Sequence, residues 1–164
     1  MADLKLDFTA FGTSERGVLL VFCDETGKFG AQTRKALGDS AAFAERAITA
    51  ERFKGKLGST LELISPPGLR ASRLVIIGVG KSKDLAAKDY LRLGGIAMGK
   101  IPSSAAEATL IAEVGPGALK PEETAEIALG VRLRAYKFDR YKTKKKDDED
   151  ARPASALKLS IAVA

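Results

Sequence analysis

The sequence predicts an α/β fold: a three-layer αβα arrangement around a mixed sheet of about six strands. Three observations carry the prediction. Short apolar runs bounded by glycine and proline are interleaved with longer stretches of helical periodicity. Val18–Phe22 is apolar without a break, as in a strand buried on both faces, and Leu74–Val79 is a second run of that kind. Two pairs of consecutive strands are joined with no helix between them, which calls for a mixed sheet. The whole chain, residues 1–164, is read as a single domain, long enough for one sizeable core.

The elements follow in order. Leu4, Leu6 and Phe8 alternate with polar neighbours, as in a half-buried or edge strand. The strand Gly17–Phe22 comes next and ends in the turn Asp24-Glu-Thr-Gly27. Between about Gln32 and Glu51, Ala36, Leu37, Ala41, Ala44, Ala47 and Ile48 form a helical apolar stripe. Gly38-Asp39-Ser40 is positioned to break that helix in two, with Asp39 or Ser40 capping the second piece. A short strand, Thr60–Ile64, stops at Pro66-Pro67-Gly68, since proline cannot continue a ladder. After the strand Leu74–Val79, a helix from about Ala86 to Gly99 gathers Tyr90, Leu93, Ile96 and Ala97 on one side, and its glycines permit close packing. Ala108–Val114 reads as a fifth strand, closed by Gly115-Pro116-Gly117. Pro121 suits the first turn of the longest helix, with Glu122 and Glu123 where the helix dipole favours anions. That helix runs to about Tyr141, and the strand Leu157–Val163 completes the sheet.

Composition excludes several chemistries. The chain holds no His, no Trp and no Asn, and its one cysteine is Cys23. Without histidine there is no Ser-His-Asp or Cys-His catalysis and no imidazole ligand for a metal. A single cysteine forms neither an internal disulfide nor a zinc knuckle; inside an apolar run it reads as a buried structural thiol in a reduced cytoplasm. The N-terminus alternates charged and apolar residues, unlike a secretory signal, and no apolar run approaches the roughly 18 residues a membrane span needs. The one dense carboxylate cluster, Asp147-Asp-Glu-Asp150, directly follows Lys142-Thr-Lys-Lys-Lys146 and lacks a glycine to fold it into a coordination loop. Adjacent blocks of opposite charge of this kind mark a solvated connector, and no cofactor is expected in this chain.

Leu74-Val-Ile-Ile-Gly-Val-Gly-Lys-Ser82 invites a nucleotide-binding reading, but the spacing fails. A phosphate-binding loop needs a glycine five residues before the Gly-Lys pair, and that position is Val75, inside the strand. Gly78-Val79-Gly80 is then a tight turn, with Lys81 just beyond it pointing to solvent.

Three segments, taken in order, resemble a known family. They are Phe53-Lys-Gly-Lys-Leu-Gly-Ser-Thr-Leu61, Leu74-Val-Ile-Ile-Gly-Val-Gly-Lys81 and Arg134-Ala-Tyr-Lys-Phe-Asp-Arg-Tyr-Lys-Thr143. Together they resemble the N-terminal domain of the leucyl aminopeptidases (cytosol aminopeptidase, aminopeptidase A), across essentially the whole chain. Read by physics alone, the same residues are structural: glycines for turns, lysines in solvent, and Tyr136, Phe138 and Tyr141 anchoring a helix end. The resemblance implies a macro domain-like fold and a longer parent whose own C-terminal peptidase domain is this domain's partner. It further implies a cytoplasmic homo-hexamer that removes N-terminal residues from peptides with two divalent ions, manganese or zinc. In the family those ions are held around an Asn-Thr-Asp-Ala-Glu-Gly-Arg-Leu motif, which a chain without asparagine cannot contain. No catalytic or metal-binding residue therefore transfers to any position here.

Two further functions come into question for a basic chain of this fold. ADP-ribose binding, suggested by the macro-like fold, lacks the asparagine such sites use, and Gly94-Gly95-Ile-Ala-Met-Gly99 falls in a predicted helix. DNA contact is favoured by the net charge of +6, with Arg140, Lys142, Lys144, Lys145 and Lys146 as the candidate basic surface. The acidic run 147–150 offsets the loop lysines, so that contact is expected to be weak and salt-sensitive.

Overall fold

The computed structural model describes residues 3–12, 16–115, 117–142 and 156–164, with side chains in the last helix described as far as Tyr136. The elements run β1 (Leu4–Ala10), β2 (Val18–Cys23), α1 (Ala31–Leu37), α2 (Ser40–Ala50), β3 (Thr60–Ile64), β4 (Arg73–Gly78), α3 (Ala87–Gly99), β5 (Glu107–Ile111), β6 (Glu113–Val114), β7 (Gly117–Ala118), α4 (Pro121–Lys142) and β8 (Leu157–Val163). Six strands form one sheet in the order β1-β8-β5-β2-β4-β3. Every pairing in it is parallel except β3 with β4, so the mixed sheet is as expected.

Residue alternation divides β2 between two cores. Val18, Leu20 and Phe22 join Val75, Ile77, Leu110, Leu159 and Ile161 beneath Tyr90, Leu93 and Ala97 of α3 and Ile127 and Val131 of α4. Leu19, Val21 and Cys23 join Leu74 and Ile76 beneath Leu37 of α1 and Ala44 and Ile48 of α2. A strand buried on both faces has no polar positions, which is why this segment reads as an unbroken apolar run.

The α3–α4 contact is close because each helix presents a glycine. A Cβ at Gly94 would run into the carbonyl of Ile127, and one at Gly130 into the carbonyl of Leu91. The opposite side relies on helix ends. Arg52 takes a left-handed φ of 52°, and the N–H groups of Arg52 and Phe53 then reach the carbonyls of Thr49 (3.2 Å) and Ile48 (2.9 Å). This pattern ends α2 and seats Phe53 against the core that holds Ile48. Near β3, Glu62 bridges Arg73 (2.6 Å) and Lys100 (3.3 Å). Burial pushes its carboxyl up, but the hydrogen bonds and charges of those two cations outweigh that and hold it below the ordinary carboxylate range.

Four expectations need correction. The helix-free link from β1 to β2, one of the two that call for a mixed sheet, does not join neighbours: β1 lies at the sheet edge beside β8, and the antiparallel exception is β3 alone. The strand expected at 108–114 is interrupted at Ala112, after which β6 leaves the main sheet and pairs with β7 in a two-stranded ribbon. Neither Asp39 nor Ser40 caps α2 through its side chain; the buried Ser40 hydroxyl donates instead to the carbonyl of Pro67. Tyr136 does not anchor α4 to the domain, being 68% exposed, because helical spacing places it on the flank with Leu129 and away from Ile127 and Val131. Phe138 and Tyr141 lie beyond the described side chains.

Candidate functional site

In parallel α/β sheets, ligands are usually bound beyond the C-terminal ends of the strands. At that end of β2 and β4 three loops meet. The first is the Asp24–Gly27 turn, in which the Asp24 carboxylate accepts the Thr26 N–H (2.9 Å) and the Gly27 N–H donates to the Asp24 carbonyl (3.1 Å). The second is Gly55–Ser59, and the third Gly78–Lys81. Gly55 has a φ of 62°, and a Cβ there would strike the Asp24 carbonyl; a Cβ at Gly78 would strike that of Lys56. Gly80, at φ 67°, reverses the chain after β4.

Hydrogen bonds sew these loops together. The N–H of Gly78 donates to Ser59 (2.7 Å), that of Val79 to Cys23 (2.9 Å) and that of Gly80 to Gly55 (2.7 Å). The Gly80 carbonyl in turn accepts the Glu25 N–H at 3.1 Å. A phosphate cradle needs consecutive free amides. Here three in a row are already engaged inside the fold, so the glycine turn is structural. Lys81 is exposed, as the spacing predicts.

Among the described residues, two open hollows lie at this end. One, of about 470 Å³, is lined by Glu25, Lys54, Lys56, Leu57 and Gly80. The other, of about 290 Å³, borders Asp24, Glu25, Lys81, Lys83 and Asp84. Both mix cations with anions, and the lysines in them are exposed. Among the described residues no buried side-chain polar atom lacks a partner, so neither hollow offers a desolvated group waiting for a ligand. Cys23 lies just beneath, buried; desolvation, together with the charge of Asp24, pushes its thiol up to about 12, which leaves it protonated and inert near neutral pH.

Among the described residues, one buried carboxylate is singled out by no sequence pattern. Glu113, 3% exposed, aims its carboxylate at the start of α1. It accepts the N–H groups of Gln32 (3.1 Å) and Thr33 (2.7 Å) and the Thr33 hydroxyl (2.9 Å). Free N–H groups at a helix start, with the positive end of its dipole, compensate a carboxylate without a cation. Gly30 makes room, since a Cβ there would meet the Glu113 carboxylate. An acidic residue at the end of an apolar strand was the signal available, but its partner lies 80 residues away in sequence.

Of the candidate basic surface, Arg140 and Lys142 stand on the last turns of α4, with side chains outside the described residues. Lys144, Lys145 and Lys146 lie outside the described residues altogether, as does the carboxylate run 147–150. Gly94, Gly95 and Gly99 are in α3, so they form no loop.

The profile of the cytosol aminopeptidase family, N-terminal domain, matches residues 18–145. A probable cytosol aminopeptidase of Nitrobacter winogradskyi is 49% identical over 161 residues, covering 98% of this chain and 32% of the relative. One from Xanthobacter autotrophicus is 52% identical over 158 residues, covering 96% of this chain and 32% of the relative. The chain thus spans about a third of the length of these relatives. Among solved structures, a mutant of tomato leucine aminopeptidase superposes with a TM-score of 0.68 at 19% identity, over 99% of this chain and 32% of that one. The macrodomain of Thermus aquaticus DarG gives 0.59 at 12% identity, over 98% of both chains. At such identities these two likenesses concern the fold, which is macro domain-like.

Proposed function

The chain belongs to the cytosol aminopeptidase family, as its N-terminal domain, and on that premise we propose that it is the non-catalytic domain of a cytoplasmic leucyl aminopeptidase-type metalloexopeptidase. The match over residues 18–145, in relatives three times as long, is the observation that carries the reading. Release of N-terminal amino acids with two divalent ions such as manganese or zinc then falls to the peptidase region in the rest of the protein. The residues described here do not fit such an ion pair: among them no three His, Cys, Asp or Glu side chains converge on one point. Glu113 is turned inward to backbone amides, Asp24 is held in its own exposed turn by the Thr26 N–H, and Glu62 is engaged by two cations. A domain whose loops are sewn to one another and whose described buried side-chain polar atoms are all partnered suits a supporting role, in homo-hexamer assembly and in shaping access to the active site.

Hydrolysis of a leucyl chromogenic amide with added manganese tests the reading. The 164-residue chain is expected to be inactive, and the same chain joined to the remainder of its reading frame active and chelator-sensitive. Metal-dependent turnover by the short chain, or none by the long one, would refute it.

A second reading, contact with DNA, is favoured by the net charge of +6 and by exposed Arg132 and Arg134 on α4, leading toward Arg140 and Lys142–Lys146. Charges exposed in this way are screened near physiological salt. A mobility shift that survives that salt, and is lost on neutralising Lys142, Lys144, Lys145 and Lys146, would put DNA binding first; a shift that vanishes there would remove it.

A further inference from the structure

Among the described residues, the large apolar side chains left exposed are Phe8, Phe43, Ile64, Leu129, Leu133 and Tyr136. Phe43 and Ile64 stand on separate elements, but the other four share one edge of the molecule. Leu129, Leu133 and Tyr136, at 47%, 48% and 68% exposure, recur at i, i+4 and i+7 and so occupy a single flank of α4. The same flank begins at Pro121 and Ala125, which line an apolar groove with Phe8, Leu119, Val163 and Ala164. Groove and flank form one strip, roughly 22 Å long at about 1.5 Å per residue of helix. Glu122, Glu126 and Arg132 are the charged residues that helical spacing brings onto this flank. A contiguous exposed apolar strip of this kind marks an interaction surface.

We propose that this strip is the docking surface for the peptidase region that follows the domain in its relatives. Three observations select that occupant. The relatives are about three times as long, and the family profile is that of an N-terminal domain, so their remaining chain comes after it. β8 brings Val163 and Ala164 to the lining of the groove, so a polypeptide continuing from β8 starts at the Pro121 end of the strip. The exposed apolar side chains of the strip, Leu129, Leu133 and Tyr136, also contrast with the lysine-lined hollows at the ends of β2 and β4 and match an interface that stays closed within one protein. The inference rests on the reading above that the domain works joined to a peptidase region.

Hydroxyl-radical footprinting of the 164-residue chain, and of the same chain joined to the remainder of its reading frame, tests it. In the joined protein the reactivity of Leu129, Leu133 and Tyr136 is expected to fall to that of fully buried Leu93, while Phe43 on α2 is unchanged. Unaltered reactivity on α4 in a joined protein that hydrolyses leucyl amides would overturn the docking surface and leave the functional reading intact. Protection already present in the short chain and lost on dilution would assign the strip to a second copy, and would overturn it too. Protection of α4 in a joined protein without peptidase activity would uphold the docking surface and break the functional reading.

Discussion

The two faces of the sheet are covered by different means. Beneath α3 and α4 the solution is apolar contact, with Gly94 and Gly130 letting the helix backbones touch. Beneath α1 and α2 the core is smaller, and the covering helices are short, at 7 and 11 residues. A seven-residue helix is not stable on propensity alone. It is pinned by a buried carboxylate at its start, and its neighbour is ended by a left-handed arginine. One face is thus held by shape and the other by satisfying helix ends, so their responses to substitution should differ in kind.

The largest effect is expected where shape leaves no slack. Gly94→Val should destabilise the domain by about 3 kcal/mol or more, because its Cβ meets backbone that cannot turn aside. Even Gly94→Ala should be costly in urea unfolding. A loss under ~1 kcal/mol for the alanine variant would mean that the helices can slide apart, and the contrast between the faces would fail.

An intermediate effect is expected at Glu113. Glu113→Ala strands two N–H groups and a buried hydroxyl and should cost about 2–3 kcal/mol. Glu113→Gln, which keeps the shape and one acceptor oxygen, should cost less. If both variants lose equally, the negative charge at the helix start matters more than the count of hydrogen bonds. Amide exchange should localise either loss to α1.

The smallest effect has the opposite sign. Arg52 holds a backbone angle that glycine adopts without strain, at the position after a helix where glycine is most common. Arg52→Gly should therefore raise stability by up to ~1 kcal/mol, read as a small increase in melting temperature. A decrease would indicate that the arginine side chain contributes contacts beyond the backbone pattern.

Much of the fold was legible from local pattern. The helix break at Gly38, the buried glycine turn after β4 and the apolar stripe of α3 all follow from spacing within a few residues. The candidate site was legible mainly by exclusion: the phosphate loop fails on one valine, and the amides of residues 78–80 are engaged in the structure as well. The basic residues toward the end of α4 were easy to find because they are contiguous, yet contiguity in sequence does not establish a surface. Tyr136 illustrates the limit, since an aromatic near a helix end suits an anchor or an exposed flank equally until its phase relative to the core is known.

By itself the sequence determined which segments are strands and which are helices, since periods of two and 3.6 residues are set by backbone geometry that every segment carries with it. Tertiary structure alone decided which strands are neighbours, where the strand after Glu107 breaks, and what Glu113 is for. β1 lies beside β8 across more than 140 residues of intervening sequence, counted from Ala10 to Leu157. Glu113 meets α1 because the end of β5 and the start of α1 converge at one end of the sheet. Such pairings depend on which buried faces and unfilled hydrogen bonds the rest of the chain leaves to be satisfied, and no local pattern records that.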